Sequence, residues 1–118
     1  MDKKVFVYDT SKGFSSFIKH YYSSKMSIDV CTNKKRFATE GINDYDTCFF
    51  VVNDMDDFFN LIKIYYKIEH FFIGSPSKII CEKMETFMRS NVVFLDFNQN
   101  KHEMLKTINT NLSVKNII

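Results

Sequence analysis

Two hydrophobic periods alternate along this chain, and that alternation leaves it few folds to choose from. Short apolar runs occur at Val5–Tyr8, Ile28–Cys31, Cys48–Val52, Phe71–Ile73 and Val92–Leu95. They are rich in Val, Ile and Phe, as strands are. The first, third, fourth and fifth are apolar throughout, which suits strands covered on both faces. The second, Ser27-Ile28-Asp29-Val30-Cys31, admits a charge and suits a sheet edge. Between the runs lie stripes of helical spacing: Phe14, Phe17, Ile18, Tyr21 and Tyr22; Phe58, Leu61, Ile62, Tyr65 and Ile68; Ile80, Met84, Phe87 and Met88; and Met104, Leu105, Ile108 and Leu112. The second connection, Lys34–Ile42, has only Phe37, Ala38 and Ile42 as apolar residues and reads as a short helix.

Helix start signals agree with this division. Ser75-Pro76 places a hydroxyl at an N-cap and Pro at the first helical position. Asn100 followed by Glu103 has the form of a capping box. Asn53-Asp54 with Asp56 and Asp57 puts acceptors and negative charge where a helix N-terminus favours them. Five β–α units in 118 residues, without a linker, imply one α/β domain over residues 1–118. Its expected form is a doubly wound three-layer sandwich around a five-stranded parallel sheet in the order 2-1-3-4-5. The second run then lies at one edge and the fifth at the other. The apolar character of the fifth suggests that something covers that side.

Composition argues mainly against functions. A net charge of +2 provides little of the field used by nucleic-acid binders. The one basic run, Lys34-Lys35-Arg36, reads as a solvated turn. Cys31, Cys48 and Cys81 form no C-x-x-C pair, and reduced thiols fit a cytoplasmic protein. No apolar window reaches the length of a membrane span, and the first residues lack a signal-peptide core. His20, His70 and His102 share no metal spacing, and no Walker loop, G-x-S-x-G or G-x-G-x-x-G is present.

In an open α/β sheet, ligands bind beyond the carboxyl ends of the strands. The residues there are Tyr8-Asp9-Thr10-Ser11-Lys12-Gly13, Asn53-Asp54-Met55, Gly74-Ser75-Pro76 and Asp96-Phe97-Asn98. This arrangement resembles the receiver domain of two-component response regulators over almost the whole chain. The resemblance implies an acidic pair holding Mg²⁺ after strand one and a phospho-accepting Asp ending strand three. It also implies a hydroxyl residue after strand four and a Lys, usually before Pro, after strand five. In this chain Tyr8-Asp9 stands for the acidic pair, leaving Asp9 as the candidate for Mg²⁺. Asn53 occupies the acceptor position when counted back from the following helix; counting forward from Tyr45-Asp46 gives Val51. Ser75 can stand for the hydroxyl residue, and Asp96-Phe97 replaces Lys-Pro. The chain therefore resembles a degenerate, or pseudo-, receiver, its pocket drawn from Asp9, Asn53, Asp54, Ser75 and Asp96.

The resemblance further implies a protein contact face on the helix before strand five, strand five itself and the helix after it. Here that spans 77–90, 91–97 and 101–112, with Ile80, Met84, Phe94, Phe97 and Met104 as candidate contact residues. The expected function is a non-enzymatic signalling module that binds a signalling protein or a second copy of itself, needing no cofactor, nucleic acid or membrane. Two alternatives stand beside it. Asp54 could serve an atypical phospho-receiver. Thr10-Ser11-Lys12-Gly13-Phe14-Ser15 is similar to the phosphate loop of flavodoxins, which implies an FMN-binding electron carrier; the same residues also read as a turn plus N-cap. Finally, in the doublets Tyr21-Tyr22, Phe58-Phe59 and Tyr65-Tyr66, adjacent helical positions diverge by about 100°, so one member of each tends to leave the core face.

Overall fold

The computed structural model describes residues 3–88 and 92–118; of the expected contact face, 89–91 and the Phe87 side chain lie outside the described residues. The strands are β1 (Lys3–Tyr8), β2 (Met26–Cys31), β3 (Thr47–Val51), β4 (His70–Gly74) and β5 (Val92–Leu95). All pairings are parallel, in the order β2-β1-β3-β4-β5. The helices are α1 (Gly13–Tyr22), α2 (Met55–Ile64), α3 (Lys78–Phe87) and α4 (Lys101–Val114).

Strand alternation builds two cores, because successive side chains leave opposite faces of the sheet. Val5, Val7, Phe49 and Phe72 pack with Ile18 and Tyr22 of α1 and with Met104, Ile108 and Leu112 of α4. Phe6, Tyr8, Phe50 and Ile73 pack on the other face with Leu61 and Ile64 of α2 and Met84 of α3. Stacked pairs cross the strands on each face: Tyr8 with Phe50 at 4.2 Å and Phe49 with Phe72 at 4.6 Å between ring centroids. Such pairs add about 0.5–1.5 kcal/mol each beyond the area they bury. β3 and β4 are covered on both sides, as their apolar runs require, whereas β5 leaves Phe94 partly exposed at the sheet edge.

Two local expectations are corrected. The connection read as a short helix over Lys34–Ile42 is instead two 3₁₀ turns, Lys34–Arg36 and Ile42–Asp44. Asn33 caps the first through its side chain, and Gly41 with φ 74° enters the second, so no continuous helical stretch forms. Two of its three apolar residues pack inward, Phe37 edge-on to Tyr8 and Ile42 buried, while Ala38 is exposed. The N-cap of α3 is Ser77, not Ser75; Ser77 Oγ accepts from the Ile80 N–H, while Ser75 Oγ accepts from the Ser77 N–H one turn earlier. The expected capping box of Asn100 and Glu103 is present on α4, and Asp54 caps α2.

Gly74 ends β4 where no side chain fits. A Cβ there would lie 2.9 Å from the Phe97 ring and 3.1 Å from the Leu95 carbonyl oxygen. Gly74→Ala should therefore destabilise the fold by roughly 1–3 kcal/mol through overpacking. A lowered urea midpoint would register this, and pairing the change with Phe97→Ala should recover part of the loss; an unchanged midpoint for Gly74→Ala would refute the close approach.

Candidate functional site

At the carboxyl ends of the strands, Asp9 and Thr10 follow β1, Asn53 follows β3, Ser75 follows β4 and Asp96 follows β5; of these, Thr10 and Asn53 touch. Asp9 is fully buried. One of its oxygens accepts from the Ser11 N–H (3.2 Å) and hydroxyl (2.6 Å), the other from the Ser15 N–H (2.8 Å). This contact does the capping that Lys12 cannot do. Lys12 is the N-cap residue of α1, adopts the left-handed region at φ 72° and makes no side-chain cap. A carboxylate at a helix N-terminus is favourable through both the hydrogen bonds and the helix dipole. The turn expected from Gly13 is thus made by Lys12, with Gly13 as the first helical residue.

β3 ends at Val51, which is buried, and Asn53 is the first residue beyond the Val52 N–H bond to Gly74. Its side-chain amide donates to Thr10 Oγ1 at 3.1 Å, turning it toward the β1 exit. Asp54 does not enter this space. Its carboxylate accepts from the Asp57 N–H and pairs with Lys34 at 2.8 Å on the exposed rim. That lysine holds the Asp54 carboxyl below its usual range, helped by the Asp57 amide. Ser75 is buried, and Asp96 is exposed and accepts from the Asn98 N–H.

The carboxylate that enters instead is Asp57, which the sequence analysis placed only as favourable charge at the start of α2. It is fully buried. Tyr8 donates its hydroxyl to Asp57 Oδ1 at 2.6 Å, and the Asn53 backbone N–H donates to Oδ2 at 2.9 Å. The Thr10 hydroxyl also points to Oδ2, at 3.5 Å, and Asn60 Nδ2 donates to the Tyr8 oxygen at 3.2 Å. The signal was available: Asp57, Asn60, Leu61 and Ile64 lie on one helical stripe, and all four are buried. Burying a carboxylate costs several kcal/mol unless donors replace water, and here neutral donors do so.

Neither acid is arranged as a metal ligand. The oxygens of Asp9 are taken by three donors and those of Asp57 by a phenol, a backbone amide and a hydroxyl. Among the described residues no group of three or more His, Cys, Asp or Glu side chains could hold a metal ion. The donor set therefore does not fit Mg²⁺. The loop compared with a flavin phosphate cradle has likewise spent its hydroxyl protons inward: Thr10 toward Asp57, Ser11 on Asp9 and Ser15 on the Lys12 carbonyl.

Above the strand ends lies an open cavity of ≈ 300 Å³ between Gly13, Asn53, Pro76 and Phe97. Phe97 roofs it, packing on Phe14 at 5.4 Å and over Gly74. A second groove of ≈ 540 Å³ runs between α3 and β5, past Cys81 and Phe94. Of the candidate contact residues, Met84 and Met104 are corrected: both are buried in the cores, because each lies on the sheet-facing stripe of its helix. Phe94 is exposed, and Ile80 and Phe97 are half-buried; Ile79, which the sequence analysis passed over, is 67% exposed.

No family model matches the chain, and no curated protein matches it. Solved structures do. A CheY-like response regulator receiver domain protein from Methanospirillum hungatei superposes with a TM-score of 0.67 at 11% identity, covering 98% of both chains. The chemotaxis protein CheY4 of Vibrio cholerae superposes with a TM-score of 0.60 at 15% identity, covering 93% of this chain and 98% of that one. The fold is that of CheY-like receiver domains. No helix among the described residues is long and apolar enough to cross a membrane.

Two outcomes follow from the Tyr8–Asp57 contact. Asp57→Ala leaves the Tyr8 hydroxyl and the Asn53 N–H without acceptors and should cost about 1–3 kcal/mol per orphaned group, and Tyr8→Phe should cost less; chemical denaturation orders the two variants, and the reverse order would refute the account. In alkali, burial pushes the Tyr22 phenol up to about 12, burial with the Asp29 contact does the same for Tyr45, and burial with the Asp57 contact raises Tyr8 further. Unfolded tyrosines ionise near pH ~10. The unfolded chain thus sheds protons that the folded chain keeps, and stability should fall as pH rises from about 10 to 12. Denaturant midpoints measured across that range should decline, less steeply for Tyr8→Phe.

Proposed function

We propose that this chain is a receiver-like signalling module that takes no phosphoryl group at the strand-three exit and acts through protein–protein contacts, without a catalytic step or a cofactor. One observation carries the reading: the carboxylates nearest the strand ends are already used as structural acceptors. Asp9 caps α1, and Asp57 is locked by Tyr8 and the Asn53 N–H. An attacking carboxylate needs a free oxygen and a cation to offset the phosphoryl charge. Asn53 offers an amide, and the residue beyond β5 is the acid Asp96. The groove between α3 and β5, lined by the exposed Phe94, supports a signalling protein as partner. The inward use of the Thr10, Ser11 and Ser15 hydroxyls weighs against an FMN phosphate in the same loop.

A second reading has one observation behind it. Asp54 is exposed and has the Lys34 ammonium 2.8 Å away, a carboxylate–lysine pair at the rim of the strand ends. Against it, the other Asp54 oxygen caps α2.

Incubation with acetyl phosphate and Mg²⁺, followed by intact-mass spectrometry, separates the readings. The expected result is no acid-stable, base-labile phosphoryl adduct. An adduct that disappears in Asp54→Asn would establish the second reading, and one that maps to Asp9 or Asp57 would overturn both.

A further inference from the structure

α2 is apolar on the side that faces away from the sheet. Its core stripe, Leu61 and Ile64 with the buried Asp57 and Asn60, faces inward. Diametrically opposite, Met55, Phe59, Ile62 and Tyr66 recur at i, i+4, i+7 and i+11, Tyr66 lying in the turn that continues the helix. Met55, Phe59 and Tyr66 are 40%, 54% and 68% exposed, and Ile62 is half-buried. Of the exposed large apolar side chains among the described residues, three fall on this stripe; Tyr21, Ile79 and Phe94 sit singly on separate elements, and Val114 and Ile118 lie at the C-terminal end. A contiguous apolar stripe in the place of a helix's solvated face marks a contact surface. Spacing of four, three and four residues is that of a seam between two packed helices.

The charges along the stripe select the occupant. Asp56, Lys63 and Lys67 share one flank, the acid toward the N-terminal end and the lysines toward the C-terminal end. Asp56 lies 3.5 Å from Lys34, but its side chain is 73% exposed and open to a second cation. In a two-fold antiparallel pairing, whatever lies on that flank of one helix meets the same flank of its mate end for end. With the centre between Phe59 and Ile62, Met55 meets Tyr66, Phe59 meets Ile62, and Asp56 meets Lys63 and Lys67 of the second copy. The surface is complementary to itself in the placement of its apolar and charged residues.

We infer that the outer face of α2 is a self-association surface, on which a second copy of this chain docks antiparallel through Met55, Phe59, Ile62 and Tyr66, with Asp56 paired to Lys63 and Lys67 of the mate. The inference stands independently of whether any group is phosphorylated, and its test contains no phosphodonor. Sedimentation equilibrium of the full chain should show a concentration-dependent dimer. Phe59→Lys and, separately, Tyr66→Ser should each weaken it by about tenfold or more, with circular dichroism and melting confirming that the fold is kept. Asp56→Lys should also weaken it, and the charge-exchanged variant Asp56→Lys with Lys63→Asp and Lys67→Asp should restore it. A wild-type chain that stays monomeric at high concentration overturns the inference. So does a dimer indifferent to both apolar variants, and failure of the charge exchange to restore association overturns the antiparallel arrangement.

Discussion

The Asp57 carboxylate, buried beneath the exits of β1 and β3, constrains the whole functional end of this molecule. A charge there, away from water, is tolerable only if donors converge on it. The Tyr8 phenol, the Asn53 N–H and the Thr10 hydroxyl do so, and Asn60 fixes the phenol in turn. These partners come from β1, from the exit of β3 and from α2 itself. The contact therefore locks the helix that follows β3 to the sheet and fixes how the chain leaves two central strands. It also holds the Asn53 amide toward Thr10 instead of toward incoming ligand.

A consistent pattern emerges across the strand ends. Groups that could have met a phosphoryl oxygen or a cation are turned to structural use: Asp9 caps the helix whose own cap residue, Lys12, is in a left-handed conformation; Ser75 accepts from the turn before α3; and Asp54 caps α2 and pairs with Lys34 on the rim. Phe97 packs over Gly74 beside the open cavity, a close approach that only a glycine at position 74 permits. Apolar surface stays open to solvent in the groove between α3 and β5 and on the outward stripe of α2.

Much of the architecture was legible in the residues. The change of period from two to 3.6, repeated along the chain, specified a parallel sheet with helices on both faces, and the charge in Ile28–Cys31 marked the edge strand. The aromatic doublets divided as helical geometry requires: Tyr22 and Tyr65 are buried, while Tyr21, Phe59 and Tyr66 are exposed. The second connection was misread because three apolar residues carry too little periodic information to distinguish a helical turn from a pair of 3₁₀ turns around Gly41. The cap of α3 was misplaced by two residues because Ser75 and Ser77 offer the same hydroxyl, and only the path of the chain past Pro76 selects between them. Met84 and Met104 were assigned to a contact face through a family likeness, although their own positions on the apolar stripes argued for the core.

The sequence by itself determined the order and type of the five strands and the four α-helices, the two-faced burial of the central strands and the acid in place of a lysine directly after the fifth strand, because these depend on local spacing and identity. Helical spacing puts Asp57 on the inward stripe of α2, but tertiary structure alone decided that an acid could be buried there. Asn53, Asp54, Asp56 and Asp57 differ little in local preference near a helix N-terminus. Only the approach of Tyr8 and Thr10 from a strand more than forty residues earlier supplies the donors that make burial of one of them, Asp57, affordable.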